Sequence, residues 1–436
     1  MKSDINNTSS FPNQARAVII GAGIVGASVA YHLTKIGWSD VLILERDTVS
    51  SGTTGHGAGL VTQLRHTKAL TNLARYSVDL YANLEKETGY NPGFKQSGSV
   101  SVARTKGRAD EFLRQVSMAR AFGVDIERIS PKEAKRLWPL MEISDVVEAI
   151  HIPHDGQTVP DATTMAMITG ACSRGAQLIE NTRVVDINTQ EGKVQSVVTE
   201  RGEITCEVIL NCTGMWAREV GEMCGVGVPL HAADHAYLVT NTMDGVTSEL
   251  PSLRDPDGYI YFRSDIENRG GLLMGGFEPI SVPWGMGGIP DDFGTHLLDR
   301  DWSHYNVFLE KAIQRVPSME DIEILRFLVG PESFAPDNNY VIGESPEVKN
   351  FFVAAGFNSS GIAAAAGAGR AIAEWAVEGH PTMDLSEVDI RRFHKFQNGS
   401  NYLRDRGTEG LGLLYATHWP NRQPETARGA RRSPLH

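Results

Sequence analysis

The chain has 436 residues, 41% hydrophobic and 22% charged. This globular composition excludes disordered, collagen-like and coiled-coil classes and allows two or three domains or one large α/β enzyme with insertions. Lys and Arg number 41 against 53 Asp and Glu, a net charge of −12 that repels phosphate backbones and anionic lipid, so neither nucleic acid nor a membrane is an expected partner. Glycine, at 44 residues, makes up about one residue in ten where about 7% is usual, which points to many tight turns or close backbone approaches to a ligand.

Residues 1–15 carry neither an apolar core nor an Arg-rich pattern, so a flexible tail without a readable address is expected. From Arg16, the run A-V-I-I, then G-A-G-I-V-G, then A-S-V-A-Y-H-L predicts a buried strand, a glycine turn and a helix ending near Gly37. V-L-I-L-E at Val41 to Glu45 predicts a second strand, giving a right-handed βαβ unit and an α/β fold. A glycine-rich loop spans Ser50 to Leu60, and a helix follows from about Thr67 to Glu87.

Residues 98–104 alternate like a strand, with helices expected near 107–122 and 131–137 before a turn at Pro153 to Gly156, an inserted lobe of α+β character. A helix near 161–175 and strands near 181–187, 194–200 and 204–211 lead back to the first sheet. Strands near 235–241, 259–264 and 271–277 and a helix at 302–315 predict a second, antiparallel block that carries substrate. A strand at 350–357 and a helix with Ser359 or Ser360 as N-cap close the first domain, and from Asp384 the chain reads as an irregular tail or linker. Even the Ala-rich run after Gly361 is broken by Arg370 and Glu374, so no membrane span is expected. Cys172, Cys206, Cys212 and Cys224 show no C-x-x-C pair and no His spacing, so no metal and no disulfide framework is expected, and a reducing, cytoplasmic location fits.

Gly21, Gly23 and Gly26 stand in G-x-G-x-x-G spacing between strand and helix, and Glu45 follows 19 residues after Gly26, where its carboxylate can accept from ribose hydroxyls. The combination predicts a dinucleotide, NAD or FAD. A nicotinamide dehydrogenase would continue with βα units, whereas this chain leaves its sheet after the second strand and returns late, which favours a flavoprotein. The turn at Gly356 to Ile362 opens a helix whose N-terminus can stabilise negative charge on a reduced flavin ring.

C-T-G-M-W at 212–216 and P-H-D-G-Q-T-V-P from Pro153 resemble motifs of FAD-dependent amine and D-amino-acid oxidases. G-T-T-G-H-G-A-G-L at Gly52 to Leu60 narrows the resemblance to the dimethylglycine and sarcosine dehydrogenase group, whose pattern G-S-T-x-H-x-A-G-L carries a histidine that binds FAD covalently. K-E-T-G at 86–89, W-A-R-E-V-G at 216–221, L-P-S-L-R-D at 250–255 and G-P-E-S-F-A-P-D at 330–337 extend it over about 16–435. Gly55 departs from the aromatic residue usual before that histidine, and S-S-G-I departs from a more aromatic flavin turn.

The resemblance implies a Rossmann-type FAD domain over 16–90, 146–228 and 330–383, interleaved with a substrate domain over 91–145 and 229–329, and a tail or linker at 384–436. It implies FAD contacts at Gly21, Gly23, Ile24, Val25, Gly26, Glu45, Arg46, Gly52, Thr53, Thr54, Gly57, Ala58, Gly59, Leu60, Val184, Gly214, Trp216, Gly356, Asn358, Ser359, Ser360, Gly361 and Ile362. His56 is the implied tether, with His66 its competitor. His235 is the implied proton-handling residue, an imidazole being suited to that work near neutrality, and Tyr261 the implied orienter, with Tyr259 and Tyr237 as alternatives. Arg263 and Arg254 are both open as partners of a substrate carboxylate.

The expected reaction is oxidation of the N-methyl group of dimethylglycine, sarcosine or a similar amine to an iminium and then formaldehyde, with oxygen or an electron-transfer flavoprotein as acceptor. The resembled enzymes continue beyond an R-x-S-P-L-like segment into a folate-binding domain, whereas this sequence stops at Arg432 to His436, so the expectation is either the flavin half of a longer protein or a stand-alone flavin subunit that releases its one-carbon product as formaldehyde. Rival expectations are another flavin amine or amino-acid oxidase, a non-catalytic FAD-binding subunit, and an NAD-dependent dehydrogenase.

Overall fold

The computed structural model describes residues 11–265, 270–294, 296–417 and 424–427. The predicted βαβ unit is β1 (Gln14–Ile20), α1 (Ile24–Ile36) and β2 (Val41–Leu44), with Gly37 ending α1 in the left-handed region at φ 109°. Helix α2 (Lys68–Thr88) starts at Thr67, whose hydroxyl accepts from Leu70 N. Strands β3 (Ser99–Ala103) and β4 (Glu148–Ile152) flank two helices, Lys106–Phe122 and Pro131–Leu137, after which α3 (Pro160–Cys172), β5 (Gln177–Ile179) and β6 (Gly202–Asn211) return to the first sheet. Then come β7 (His231–Thr240), β8 (Ser252–Asp255), β9 (Ile260–Ser264), β10 (Leu272–Gly276), α4 (Trp302–Arg315) and β11 (Ile324–Phe334). Strand β12 (Phe351–Ala355), α5 (Gly361–Glu378) and α6 (Ser400–Leu413) complete the chain.

The first sheet has a parallel core in the order β12, β6, β1, β2, β5, with an antiparallel edge strand, Val341–Glu344, beside β12 and an antiparallel pair over 184–199 beside β6. Where both faces are covered the strands run apolar, as in A-V-I-I of β1 and V-L-I-L of β2. Ala17 and Ile19 of β1 face a core shared with α1, α2, α3 and α5, whereas Val18 and Ile20 face a core shared with an antiparallel meander over 184–199. The parallel strand ends, the glycine turn and the start of α5 therefore meet along one edge.

The second sheet runs β11, β7, β10, β9, β8, β3, β4, antiparallel except for the β8–β3 pair. Alternation gives it two characters. Leu238, Phe262, Met274 and Phe327 pack under Tyr305 and Phe308 of α4, while the intervening residues face the first domain. No helix among the described residues is long and apolar enough to cross a membrane.

Three boundaries differ from the sequence expectation. Strand β4 belongs to the second sheet, paired with β3, so residues 148–152 leave the first domain. Strand β11 stays in the second sheet to Phe334, past the expected boundary at 330. The segment expected to be an irregular tail folds as α6 on β7 and β11, with Leu403 and Leu411 fully buried. Its glycines concealed it: a Cβ at Gly407 would lie 1.8 Å from His231 Nε2, so the helix touches the sheet through bare backbone instead of through an apolar stripe. Ser281 Oγ donates to Gly407 O at 2.6 Å at mid-helix, and Arg108 donates to Tyr415 O at 2.6 Å just beyond its C-terminus, fastening it at both points. The expected tails at 1–10 and 428–436 lie outside the described residues. Leu411→Ala is expected to destabilise the protein by about 2–5 kcal/mol, read as a lowered midpoint in urea unfolding; a tail would give no change.

Candidate active site

One cleft lies between the two sheets, from the glycine turn after β1 to the inner faces of β7–β11. At its first end Gly21 adopts φ 101°, where a Cβ would stand 2.7 Å from Cys212 O. Gly26 packs behind the turn against Gly21 O and does not reach the cleft wall. Helix α1 has no side-chain cap from its own N-cap residue, Gly23; Thr54 Oγ1 takes Ile24 N, and the remaining first-turn N–H groups are left for an anion. Glu45 accepts from Ala22 N at 2.8 Å and Asp47 N at 2.9 Å, so the expected ribose acceptor also staples the turn; burial raises its pKa against the pull of those two bonds. Ile24, Val25, Val184 and Gly214 line this end, and Arg46 stacks on Trp216 at 4.9 Å, with the indole Nε1 buried and unpartnered.

The loop over Gly52 to Leu60 contains a single 3-10 turn, Thr53–His56, and is bonded to the start of α1 and to the second sheet. Thr54 Oγ1 accepts from Ile24 N at 3.1 Å, Thr53 Oγ1 donates to Pro331 O at 3.1 Å, and Gly59 O accepts from Thr158 N at 2.8 Å. Arg263 donates to Ala58 O and to Ser264 O and stays off the cleft wall, so it holds the loop and is removed as a candidate for the substrate carboxylate. Gly55 replaces the expected aromatic residue for a steric reason, since a Cβ there would come 2.6 Å from Ser50 O. Gly52, Thr53, Thr54, His56, Gly57, Ala58, Gly59 and Leu60 all line the cleft. The His56 ring rests on Gly330 and bonds to the Pro331 backbone, its Nε2 is buried without a partner, and burial pushes its pKa down. His66 instead pairs with Glu387 at 3.6 Å, away from the cleft.

At the flavin turn Gly356, Asn358 and Ser359 all have positive φ. Asn358 is buried behind the wall, accepting from Ala335 N at 2.8 Å and donating to Gly356 O at 2.6 Å, so it shapes the turn. Gly356, Ser359, Ser360, Gly361 and Ile362 line the cleft, where α5 starts without a side-chain cap. Two uncapped helix N-termini, a glycine cradle and buried orphan donors together fit an FAD: α1 would hold the pyrophosphate, α5 the ring system.

The opposite wall is a row across the second sheet, Arg254, Tyr261, Gly275, Tyr237 and Leu328, set by strand register. Tyr261 lies over Gly275, where a Cβ would stand 2.3 Å from its hydroxyl, and burial raises that phenol well above its ordinary pKa. His235 pairs in register with Gly330, stacks on Phe277 at 5.1 Å, and is pushed down to about 4 by burial, its Nδ1 unpartnered. Tyr259 is absent from the wall.

Four wall residues have no role in the sequence reading. Glu332, two residues beyond Gly330 on β11, faces the cleft, accepts from Ser359 Oγ, and is raised to about 7 by burial. Strand alternation in L-V-G-P-E-S is the signal that could have found it. Arg65 lies beside Arg254: both donate to Thr62 Oγ1, at 3.1 and 3.5 Å, and both have an unpartnered Nε. Phe277 and Tyr415, the latter from the expected tail, meet at 4.6 Å. Gly330→Ala, which drives a Cβ into the His56 ring, is expected to cut the FAD retained on purification several-fold with unchanged far-UV circular dichroism.

A family model described as FAD dependent oxidoreductase matches residues 16–375, and one described as FAD dependent oxidoreductase central domain matches 378–433. The chain is 43% identical to 4-methylaminobutanoate oxidase (formaldehyde-forming) of Paenarthrobacter nicotinovorans, over 98% of this chain and 51% of that protein. It is 38% identical to the mouse mitochondrial pyruvate dehydrogenase phosphatase regulatory subunit (98% and 48%) and 38% identical to human mitochondrial sarcosine dehydrogenase (98% and 46%). It thus spans about half the length of these relatives. Among solved structures, L-proline dehydrogenase from P. horikoshii superposes with a TM-score of 0.80 at 26% identity, covering 88% of this chain and 98% of that one. With most of its length inside the family model and the glycine turn, Glu45 and the two uncapped helices on one cleft, the chain belongs to the FAD dependent oxidoreductase family.

Proposed function

We propose that the chain catalyses FAD-dependent oxidative N-demethylation of a small secondary or tertiary N-methyl amino acid, releasing an iminium that water converts to formaldehyde and the demethylated amine. The observation that carries this reading is the polarity of the cleft: Glu332 stands without a cation near His56 and the flavin turn, and Arg254 and Arg65 stand with unpartnered Nε atoms at the other pole. A zwitterion is complementary to both. The relatives named as 4-methylaminobutanoate oxidase and sarcosine dehydrogenase support this substrate class.

Arg254 and Arg65 bind the carboxylate. The amine arrives as an ammonium, whose nitrogen has no lone pair to push toward the developing iminium, so a base must first take its proton. Glu332 does so, because desolvation has made its carboxylate basic enough to work near neutrality. His235 and Tyr261 flank the nitrogen and fix which N-methyl C–H is presented, while Phe277 and Tyr415 keep water out. Bound FAD supplies the hydride acceptor.

His56 Nε2 is the proposed point of covalent attachment to a ring methyl of the cofactor. Attachment there would replace the imidazole N–H and one methyl C–H with a single C–N bond, releasing two protons and two electrons, for which oxygen is the acceptor. In turnover, oxygen or an electron-transfer flavoprotein takes the electrons onward, and a folate-binding domain or subunit is the proposed acceptor of the one-carbon product. The four free cysteines support the reducing, cytoplasmic location read from the sequence. A second reading, a non-catalytic FAD-binding subunit, is favoured by the 38% identity to a phosphatase regulatory subunit.

Anaerobic addition of sarcosine, dimethylglycine or 4-methylaminobutanoate separates the two, since the enzyme reading requires one of them to bleach the flavin band and the subunit reading requires none to. Acid precipitation is expected to leave a yellow pellet from the parent protein and a colourless one from His56→Ala. A yellow pellet from that variant overturns the tether. Because the carboxylate form of Glu332 is the base, kcat/KM is expected to rise through a limb near pH 7. Glu332→Gln removes that limb and lowers kcat/KM by about a hundredfold or more; an unchanged profile assigns the proton to another group.

A further inference from the structure

Behind the cleft wall, on the opposite face of β7 from His235, three side chains from distant segments converge. Asp234 on β7, Glu278 just after β10 and His304 in the first turn of α4 each place one potential ligand atom within 4.8 Å of the others. Glu278 is 3% exposed, and neither of its carboxylate oxygens has a hydrogen-bond partner. Its nearest countercharge is His304 Nε2 at 3.8 Å, beyond hydrogen-bond reach but within the span of two ligands on one small cation with bonds of about 2.1 Å. No lysine or arginine pairs with Asp234 or Glu278 among the described residues. An isolated buried carboxylate is costly unless it is paired or coordinates a metal.

Asp234 is already aimed. Val282 N donates to its Oδ1 at 3.1 Å and the Tyr305 hydroxyl to its Oδ2 at 3.0 Å, the outer-shell arrangement that orients a ligating carboxylate while leaving lone pairs free. His304 keeps a quarter of its side-chain surface exposed, which gives a cation an entry path and room for water to complete its coordination.

We propose that Asp234, Glu278 and His304 bind one divalent transition-metal ion, with Zn2+ as the probe, since an imidazole joined to two carboxylates suits such a cation better than Mg2+. The ion ties β7, the turn after β10 and α4 together. Asp234 precedes His235, and Glu278 follows Phe277, so the site braces from behind the strands that carry the His235–Phe277 stack.

The test is calorimetric titration of the chelator-treated, desalted, flavin-loaded protein with ZnCl2, with MgCl2 in parallel. One Zn2+ per chain is expected, held more tightly than Mg2+, with affinity lowered at least about tenfold in His304→Ala, Glu278→Gln and Asp234→Asn. His66→Ala, altering an exposed histidine outside the cluster, should bind like the parent. Should Glu278→Gln fail to fold, the partly exposed His304→Ala decides. No saturable Zn2+ binding, binding untouched by these substitutions, or equal affinity for Mg2+ overturns the proposal.

Discussion

The constraint on which the rest depends is that one short loop is hydrogen-bonded at once to the start of α1 in the first domain and to two strands of the second sheet. Thr54 receives the N–H of Ile24 at the start of α1, Thr53 reaches Pro331 on β11, and Arg263 on β9 holds Ala58 O. The sheets have separate cores, so their relative position at the cleft is set where this loop and the flavin turn, through Asn358 and Ser359, join the two domains. Gly55 and Gly330 are its clearances. One lets the loop pass Ser50 O, and the other gives the His56 ring a flat floor. A substitution at either position acts on cofactor and substrate together.

The cleft concentrates groups whose charged forms are disfavoured. His56 and His235 are pushed toward neutrality, Tyr261 is held protonated, and Glu332 is held near the midpoint of its titration, all chiefly through burial. Such groups destabilise the fold. The cost falls mainly on one face of the second sheet, whose other face carries an apolar layer under α4 with the Asp234, Glu278 and His304 cluster at its margin, while the first sheet is apolar on both sides. The division explains how a wall of ill-solvated residues is tolerated.

What the sequence made legible was local. The strand, glycine turn, helix and Glu45 lie within 30 residues and appear as expected, as do α2, α4 and the loop that carries His56. Arg254 and Arg263 could not be told apart, because the choice depends on which face of β8 and β9 meets the cleft. Glu332 and Arg65 escaped for the same reason, since neither has a local pattern and each gains meaning from a neighbour more than 25 residues away, Ser359 for one and Arg254 for the other. The trio Asp234, Glu278 and His304 spans 70 residues and has no metal-ligand spacing to recognise. Helix α6 was missed for the opposite reason: the glycines that let it lie close to His231 and Pro279 read as loop.

That helix bears on the order of events during synthesis. The glycine turn is made first, yet β12 and α5 do not exist until about residue 378, and Tyr415, which closes the cleft beside Phe277, follows α6. An N-terminal nascent chain can build β1, α1 and β2, but their partner β6 and the second sheet are still missing. Cofactor capture is therefore late relative to the glycine turn: it waits until the chain has reached α5 and Tyr415, and the supply of FAD acts on the yield only after both have been made.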